Sequence, residues 1–166
     1  MNKLFIAFLM ILLLSSNLFA QELTEEYKIV NPKYKISKSL YHAIKFIDSR
    51  IDTSNIGTVQ IGLMNNEAKV IFKTPFLSQL QNVMNSITDS SAKSGELLFQ
   101  LRQFSLSELT GTFTEKGFCN LRAILYSKED SNYKKIASID TFFIIKSMDV
   151  TNPLLKTSHY CPLKIN

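Results

Sequence analysis

The sequence contains no tryptophan, two cysteines, two histidines, four prolines and five glycines among its 166 residues. Two cysteines are too few for a disulfide scaffold or a four-cysteine zinc site. So little glycine and proline excludes collagen-like and low-complexity chains. The motifs GxGxxG, GxxxxGKS/T and GxSxG are absent, so the usual signatures of nucleotide sites and serine hydrolases are missing. We therefore predict no catalytic residue, no metal ligand and no cofactor.

Residues 1–20 are predicted to be a signal peptide. Lys3 supplies a positive start, residues 4–14 are an unbroken apolar run, and Ala20 offers a small residue at the cut. A membrane anchor is the alternative, but spanning a bilayer needs about 20 apolar residues and this run is shorter. We expect cleavage after Ala20 and an exported protein, periplasmic or secreted, with no integral membrane span after cleavage.

Residues 21–166 are predicted to form a single α+β domain. Hydrophobic residues make up 45% of the chain and charged residues 20%. This composition excludes a disordered chain, which buries too little apolar surface to offset the entropy of ordering. The length is that of one domain, since domains usually take about 100–200 residues.

The basic excess is small and dispersed, with a formal net charge of +5. The nearest approach to a basic cluster is Lys33, Lys35 and Lys38, beside Tyr34. This group indicates either a patch for an anionic partner or an ordinary solvated surface, and we favour the solvated surface. Nucleic acid is not an expected partner of an exported protein with such diffuse charge.

The first half of the domain predicts a hairpin followed by a helix. Residues 58–64 and 68–73 alternate in polarity around an Asn-Asn-Glu turn. Thr74 and Pro75 are typical of a helix start, with Thr74 as the cap and Pro75 at the first helical position. The apolar residues that follow have helical spacing, and the opposite, uncharged face includes Gln79 and Gln81. Residues 39–50 fit a helix or a strand, and we favour a helix.

The second half of the domain predicts an antiparallel meander. Polarity alternates over residues 97–102 and 119–126, and residues 136–146 are rich in β-formers. A short helix opens at residues 149–151 and ends at Cys161-Pro162. The predicted fold is therefore α+β, with a single antiparallel sheet of about four to six strands and one or two amphipathic helices packed on one face.

Two residue types in the second half are candidates for a disulfide or for acid chemistry. Cys119 lies on the apolar face of its strand, and export permits a disulfide with Cys161, although the sequence leaves their pairing open. Glu108 and Glu115 flank the Gly111 turn and are read as solvated turn acids rather than a glycosidase pair.

Three further polar residues stand out in the sequence. Asp140 interrupts an apolar strand, where a cross-strand pair with Arg102 or Arg122 is favoured over a catalytic role. Neither His42 nor His159 lies in a metal or triad motif.

The order of elements resembles a known family. The chain runs from Pro75-Phe76-Leu77 and its helix through GELLFQLRQF and FCNLRAILY to a long last strand. This arrangement resembles the periplasmic auxiliary (lipo)protein components of ABC-type lipid-transport systems, and the chain also resembles small uncharacterised exported proteins of Gram-negative bacteria. The lipidated cysteine of the former is absent here, and no functional residue carries over.

The function predicted from these observations is that of an exported, non-catalytic accessory or binding protein of the cell envelope. The resemblance implies assistance in lipid or envelope transport, with an envelope protein or a lipid as partner. The alternatives are a secreted hydrolase with an unrecognised carboxylate site and a self-assembling surface protein. The oligomeric state stays open.

Overall fold

The computed structural model describes residues 22–157, which form seven strands and two helices. The first four strands are β1 (Thr24–Tyr27), β2 (Tyr41–Asp48), β3 (Thr58–Ile61) and β4 (Asn66–Phe72). Helix α1 (Phe76–Ile87) follows, then the long strands β5 (Gly95–Thr110), β6 (Glu115–Glu129) and β7 (Asn132–Ser147), and last the short helix α2 (Thr151–Thr157). The α+β class is confirmed. Within the described residues, no helix combines the length and the apolar character needed to cross a bilayer.

The strands form two sheets rather than the single antiparallel sheet expected. A three-stranded sheet has the order β1-β4-β3, and a four-stranded sheet has the order β2-β5-β6-β7. Strands β5, β6 and β7 form the predicted antiparallel meander, but β1 pairs with β4 and β2 with β5 in parallel. Parallel pairs need long crossover connections, and a local alternation pattern carries no information about such distant partners.

Residues 39–50 contain strand β2, so the helix favoured from the sequence is wrong. Ile44 is buried and Phe46 packs against the core, while Lys45 and Ile47 are exposed. The helical and strand patterns share Ile44, which is why the sequence fitted both. Pairing with the long strand β5 decides in favour of the strand.

The predicted hairpin and central helix are present, with corrections at the turn and at the helix start. Strand β3 ends at Ile61 and β4 begins at Asn66, so the turn lies at residues 62–65 and not at the Asn-Asn-Glu of residues 65–67. Strands β3 and β4 pair antiparallel, and Asn65 adopts a positive φ of 50° in the turn between them. Helix α1 begins at Phe76, with Pro75 at the N-cap and no side-chain cap. Thr74 therefore does not cap the helix; its carbonyl accepts a hydrogen bond from the Gln79 side chain at 2.9 Å instead.

A cluster of aromatic rings joins both sheets to α1. Phe76 of the helix lies 4.6 Å from Phe72 of β4 and 6.1 Å from Phe99 of β5, measured between ring centroids. Tyr27 of β1 contacts Phe104 of β5 edge to face, at 5.1 Å. Burying rings of this size supplies much of the apolar driving force for folding, so this cluster holds the three layers together.

The two sheets meet at residues 56–57. The Val70 amide in β4 donates to the Gly57 carbonyl at 2.8 Å, and the Leu106 amide in β5 donates to the Ile56 carbonyl at 2.7 Å. Gly57 has a φ of 118°, and a Cβ there would lie 1.8 Å from the Leu106 carbonyl oxygen. Only glycine fits at this junction.

Candidate functional site

An apolar cavity of about 300 Å³ lies between α1 and the inner face of the four-stranded sheet. The helix lines it with Leu80, Val83, Met84 and Ile87. The sheet lines it with Ile44, Leu97, Phe99, Leu125 and Ile139, which come from all four strands. Because each of these side chains is aliphatic, a thioether or a phenyl ring, the cavity walls offer dispersion contacts and almost no hydrogen bonds.

Residues 28–40, which we call the strap, close one side of the cavity. Ile29, Tyr34 and Ile36 of the strap line it. Ile29 is buried, whereas Tyr34 is 54% exposed and Ile36 42% exposed, so the cavity opens to solvent near these two residues. Of the twelve lining residues found in the described chain, only Tyr34 has a polar side-chain atom.

Two glutamines of α1 fix the walls of the cavity. Gln79 is 4% exposed; its Oε1 accepts from the Ile29 amide at 2.7 Å, which ties the strap to the helix. Gln81 Oε1 accepts from the Ile44 amide, and its Nε2 donates to the His42 carbonyl, both at 3.3 Å. These bonds satisfy backbone groups at the edge of β2 that would otherwise lack partners. From the sequence, both residues are predicted only to lie on the uncharged polar face of the helix.

The strap also docks on the end of α1 through backbone and lysine contacts. The Ile36 amide donates to the Ile87 carbonyl at 2.6 Å, and Lys35 Nζ donates to the Thr88 carbonyl at 3.1 Å. Lys33, Lys35 and Lys38 are exposed and flank the two residues at the opening. The basic cluster noted in the sequence therefore lies beside the mouth of the cavity.

Glu108 and Glu115 lie near each other, at the start of α2 rather than at the cavity. Glu108 Oε2 accepts from the Gln60 amide at 2.8 Å and from Thr151 Oγ1 at 3.1 Å. Glu115 Oε2 accepts from the Val150 amide at 3.1 Å. Both carboxylates thus hold the start of the helix against β3, β5 and β6.

The environment of Glu108 favours its protonated form. Burial raises the pKa of the Glu108 carboxyl above its usual value, and the nearby Glu115 and Asp149 carboxylates act in the same direction. The hydrogen bonds from Gln60 and Thr151 oppose this shift. Glu108 Oε1 is buried and has no hydrogen-bond partner among the described residues.

The other candidate residues have structural surroundings. Asp140 Oδ1 lies 3.3 Å from Arg122 Nε on the neighbouring strand, an exposed cross-strand pair as expected, with Arg122 rather than Arg102. Cys119 is fully buried on β6, whereas Cys161 lies outside the described residues, so their pairing stays a prediction.

The two histidines are the remaining residues considered as metal ligands. His42 is exposed on β2, and His159 lies outside the described residues. Within residues 22–157, no group of three or more histidine, cysteine or acidic side chains is placed to hold a metal ion.

A second charged site organises the loop before β3. Arg50, whose side chain is 5% exposed, donates from Nη2 to Asp48 Oδ2 at 2.7 Å and from Nη1 to the Asn55 carbonyl at 2.7 Å. Its guanidinium lies 5.5 Å from the centroid of the Phe72 ring. Through these contacts, Arg50 positions the chain that leads to Gly57.

Comparisons with known proteins find similarity among solved structures. No protein-family model matches the sequence, and a search of curated proteins gives no match. Among solved structures, the chain is similar to a Xanthomonas campestris protein of the DUF330 family, with 11% sequence identity and a TM-score of 0.45. The alignment covers 81% of this chain and 85% of that one. A similarity at this identity and TM-score assigns neither a family nor a function.

The strap is the part of the candidate site that the sequence did not indicate. The sequence predicts only an entry segment for residues 21–32, and it marks Tyr34 only as a neighbour of the lysines. The usable signal was the spacing of Tyr27, Ile29, Tyr34 and Ile36, a sparse apolar series in an otherwise polar stretch. Such a series predicts contact with the core but does not say where an unfilled space remains.

Proposed function

We propose that this protein is an exported, non-catalytic binding protein of the cell envelope, and that it holds the apolar chain of a lipid in the cavity beneath α1. The observation that carries this proposal is the lining of the cavity, in which eleven of twelve residues lack any polar side-chain atom. Binding sites for small molecules are mostly apolar clefts of about 300–1,000 Å³, and this cavity has the size of the smaller ones.

The chemistry of the walls favours a hydrocarbon over a polar ligand. A hydrocarbon gains about 25 cal/mol for each Å² of apolar surface that it removes from water. A polar ligand would lose its water hydrogen bonds here and find few replacements. The small volume suits one chain, with the remainder of the lipid outside the opening at Tyr34 and Ile36.

The first experiment asks whether the protein carries a lipid. The protein is purified from a bacterial envelope extract without detergent, extracted with organic solvent, and analysed by mass spectrometry. We expect a lipid or fatty acid in a reproducible molar ratio to protein. Absence of any such species, together with failure to bind a fluorescent polyene fatty acid, would contradict the proposal.

A matched pair of helix variants tests whether the ligand binds in the cavity. Val83 lines the cavity and is buried, whereas Leu77 lies on the same helix, is 43% exposed and does not line it. Val83→Phe puts a phenyl ring into the space that a chain would occupy, so we expect affinity for the fluorescent fatty acid to fall about tenfold or more.

Leu77→Phe adds the same ring outside the cavity and should leave affinity unchanged. Circular dichroism and thermal melts of both variants establish that each is folded. Equal binding by Val83→Phe and Leu77→Phe would place the ligand elsewhere.

A further inference from the structure

We propose that two copies of this chain associate through their β7 strands, side by side and antiparallel, so that two four-stranded sheets join into one of eight strands. Strand β7 is 16 residues long and is an edge strand of the four-stranded sheet. No strand in residues 22–157 pairs with its outer edge. A row of unpaired backbone N–H and C=O groups of this length is a template for another strand.

The usual protections against such pairing are missing from most of β7. Edge strands are commonly blunted by proline, by short length, by bulges or by charged side chains, and residues 137–147 carry only two charges, Asp140 and Lys146. Here the one irregularity in pairing with β6 falls at Ile136, because Leu125 pairs with Ala137 and Tyr126 with Lys135. Pairing is regular from Ala137 to Ser147, and this stretch has no proline. It can therefore accept a second strand along its whole length.

The outer face of this regular stretch is apolar at its centre. Phe142 is 60% exposed and Ile144 is 48% exposed. Phe118 of β6 stacks with Phe142 at a centroid distance of 6.4 Å, which extends the apolar patch onto the neighbouring strand. A second sheet placed edge to edge would cover part of the patch, because directly opposite residues of an antiparallel pair project from the same face.

Charge complementarity selects one register. If Phe143 lies on the two-fold axis, Phe142 is opposite Ile144 of the second copy and Asp140 is opposite Lys146 of the second copy, each pair occurring twice. A shift of two residues either way instead places Asp140 opposite Ile144 or Met148 of the second copy. Opposite charges and aromatic–aliphatic pairs stabilise antiparallel strands, so only the first register satisfies both. Arg122 engages Oδ1 of Asp140, which leaves the second carboxylate oxygen for the lysine.

The resulting interface is two-fold and self-complementary, as in most homodimers. Its centre is the patch of Phe118, Phe142 and Ile144 from each copy, and the Asp140–Lys146 pairs flank it. Edge pairing buries less surface than a large obligate interface, so we expect a reversible dimer with a dissociation constant of roughly 1–100 µM. This association is independent of the cavity beneath α1.

The test of the dimer is sedimentation equilibrium on the purified protein from roughly 1 to 500 µM, a range that spans the expected constant. Ile144→Lys removes an apolar contact at two symmetric places, so its dimer should be weaker by about tenfold or more. Ile136→Lys makes the same change on the same face of β7, outside the paired stretch, and should leave the constant unchanged. A wild-type chain that stays monomeric throughout, or an equal effect of both variants, would overturn the proposal.

Cysteine cross-linking tests the register itself. A mixture of Asp140→Cys and Lys146→Cys places two thiols directly opposite, where cross-strand Cβ atoms lie about 4.5–5.5 Å apart. Under mild oxidation the mixture should form more disulfide-linked dimer than either variant alone, with the wild-type chain as the baseline for the native cysteines. Greater cross-linking of a single variant than of the mixture would overturn the register and, with it, the charge argument.

Discussion

Gly57 joins the two sheets, and its backbone geometry makes it intolerant of substitution. Its carbonyl accepts from Val70, and its neighbour Ile56 bonds Leu106, so one dipeptide is bonded to both sheets. From the sequence, residues 52–57 predict only a turn that includes Gly57. The requirement for glycine comes from the close approach of β5, and the sequence around Gly57 gives no information about that distant strand.

Gly57→Ala should therefore destabilise the protein severely. The added methyl would overlap the Leu106 carbonyl, and a φ of 118° is itself strained for an L-residue. We expect a loss of at least about 3 kcal/mol in the free energy of unfolding, measured by urea denaturation. Gly62→Ala is the matched control, since that glycine also has a positive φ of 72° but no heavy atom lies within 4 Å of its Cβ position. Similar losses at both positions would mean that the strained φ, and not the sheet junction, sets the cost.

At the scale of elements, hydrophobic periodicity predicted the helix and strands whose partners are close in sequence. The β3–β4 hairpin, α1 and the β5–β6–β7 meander were predictable because neighbours in sequence are also neighbours in space. Strand β2 was not, because its identity depends on pairing with β5 about fifty residues later. The role of Gln79 was hidden for the same reason, since its partner is the Ile29 amide, fifty residues away.

Glu108 links β5 to the start of α2 and gives that attachment a pH dependence. Its pKa is raised mainly by burial, so the folded state holds the proton more tightly than the unfolded state does. The stabilisation from this group is complete below the ordinary glutamate pKa and is lost as pH rises through the raised value. Glu108→Gln cannot ionise and keeps an oxygen that accepts from Gln60 and Thr151.

The advantage of wild type over Glu108→Gln in unfolding free energy should therefore shrink as pH rises from about 4 to about 7. Chemical denaturation at several pH values measures it. Glu67→Gln, which removes an exposed carboxylate from β4, controls for the loss of one acidic group. A difference that stays constant or grows with pH would show that Glu108 does not titrate as described.

At the scale of the whole molecule, two sheets and a helix enclose a space that no single element reveals. The walls come from α1, from all four strands of the larger sheet and from the strap. Each lining residue fits the apolar periodicity expected of an ordinary core position. The sequence pattern is therefore the same whether the core is filled or contains a cavity. A cavity is a property of how the elements fit together, and the candidate site was for that reason beyond reach of the sequence.

The lysines of the strap give the proposed ligand a charge preference. Lys33, Lys35 and Lys38 are exposed beside the opening, where the headgroup of a chain seated in the cavity would lie. Exposed charges contribute a few tenths to about 1 kcal/mol each and are screened by salt. The variant with all three lysines changed to glutamine should therefore bind an anionic single-chain amphiphile such as dodecyl sulfate about tenfold more weakly at low salt, with a smaller effect at high salt.

Affinity of the same variant for a nonionic amphiphile of equal chain length should not change, because the strap loses only the exposed Lys35–Thr88 contact and stays docked through the Ile29–Gln79 and Ile36–Ile87 hydrogen bonds. Isothermal titration below the micelle concentration measures both ligands. The control variant changes Lys128, Lys134 and Lys135 to glutamine, which removes the same net charge from residues that do not line the cavity. Two outcomes would show that the strap does not recognise the headgroup: an equal loss of dodecyl sulfate binding in the control variant, or a parallel loss of nonionic binding in the strap variant. The strap lysines would then be ordinary solvated surface charges.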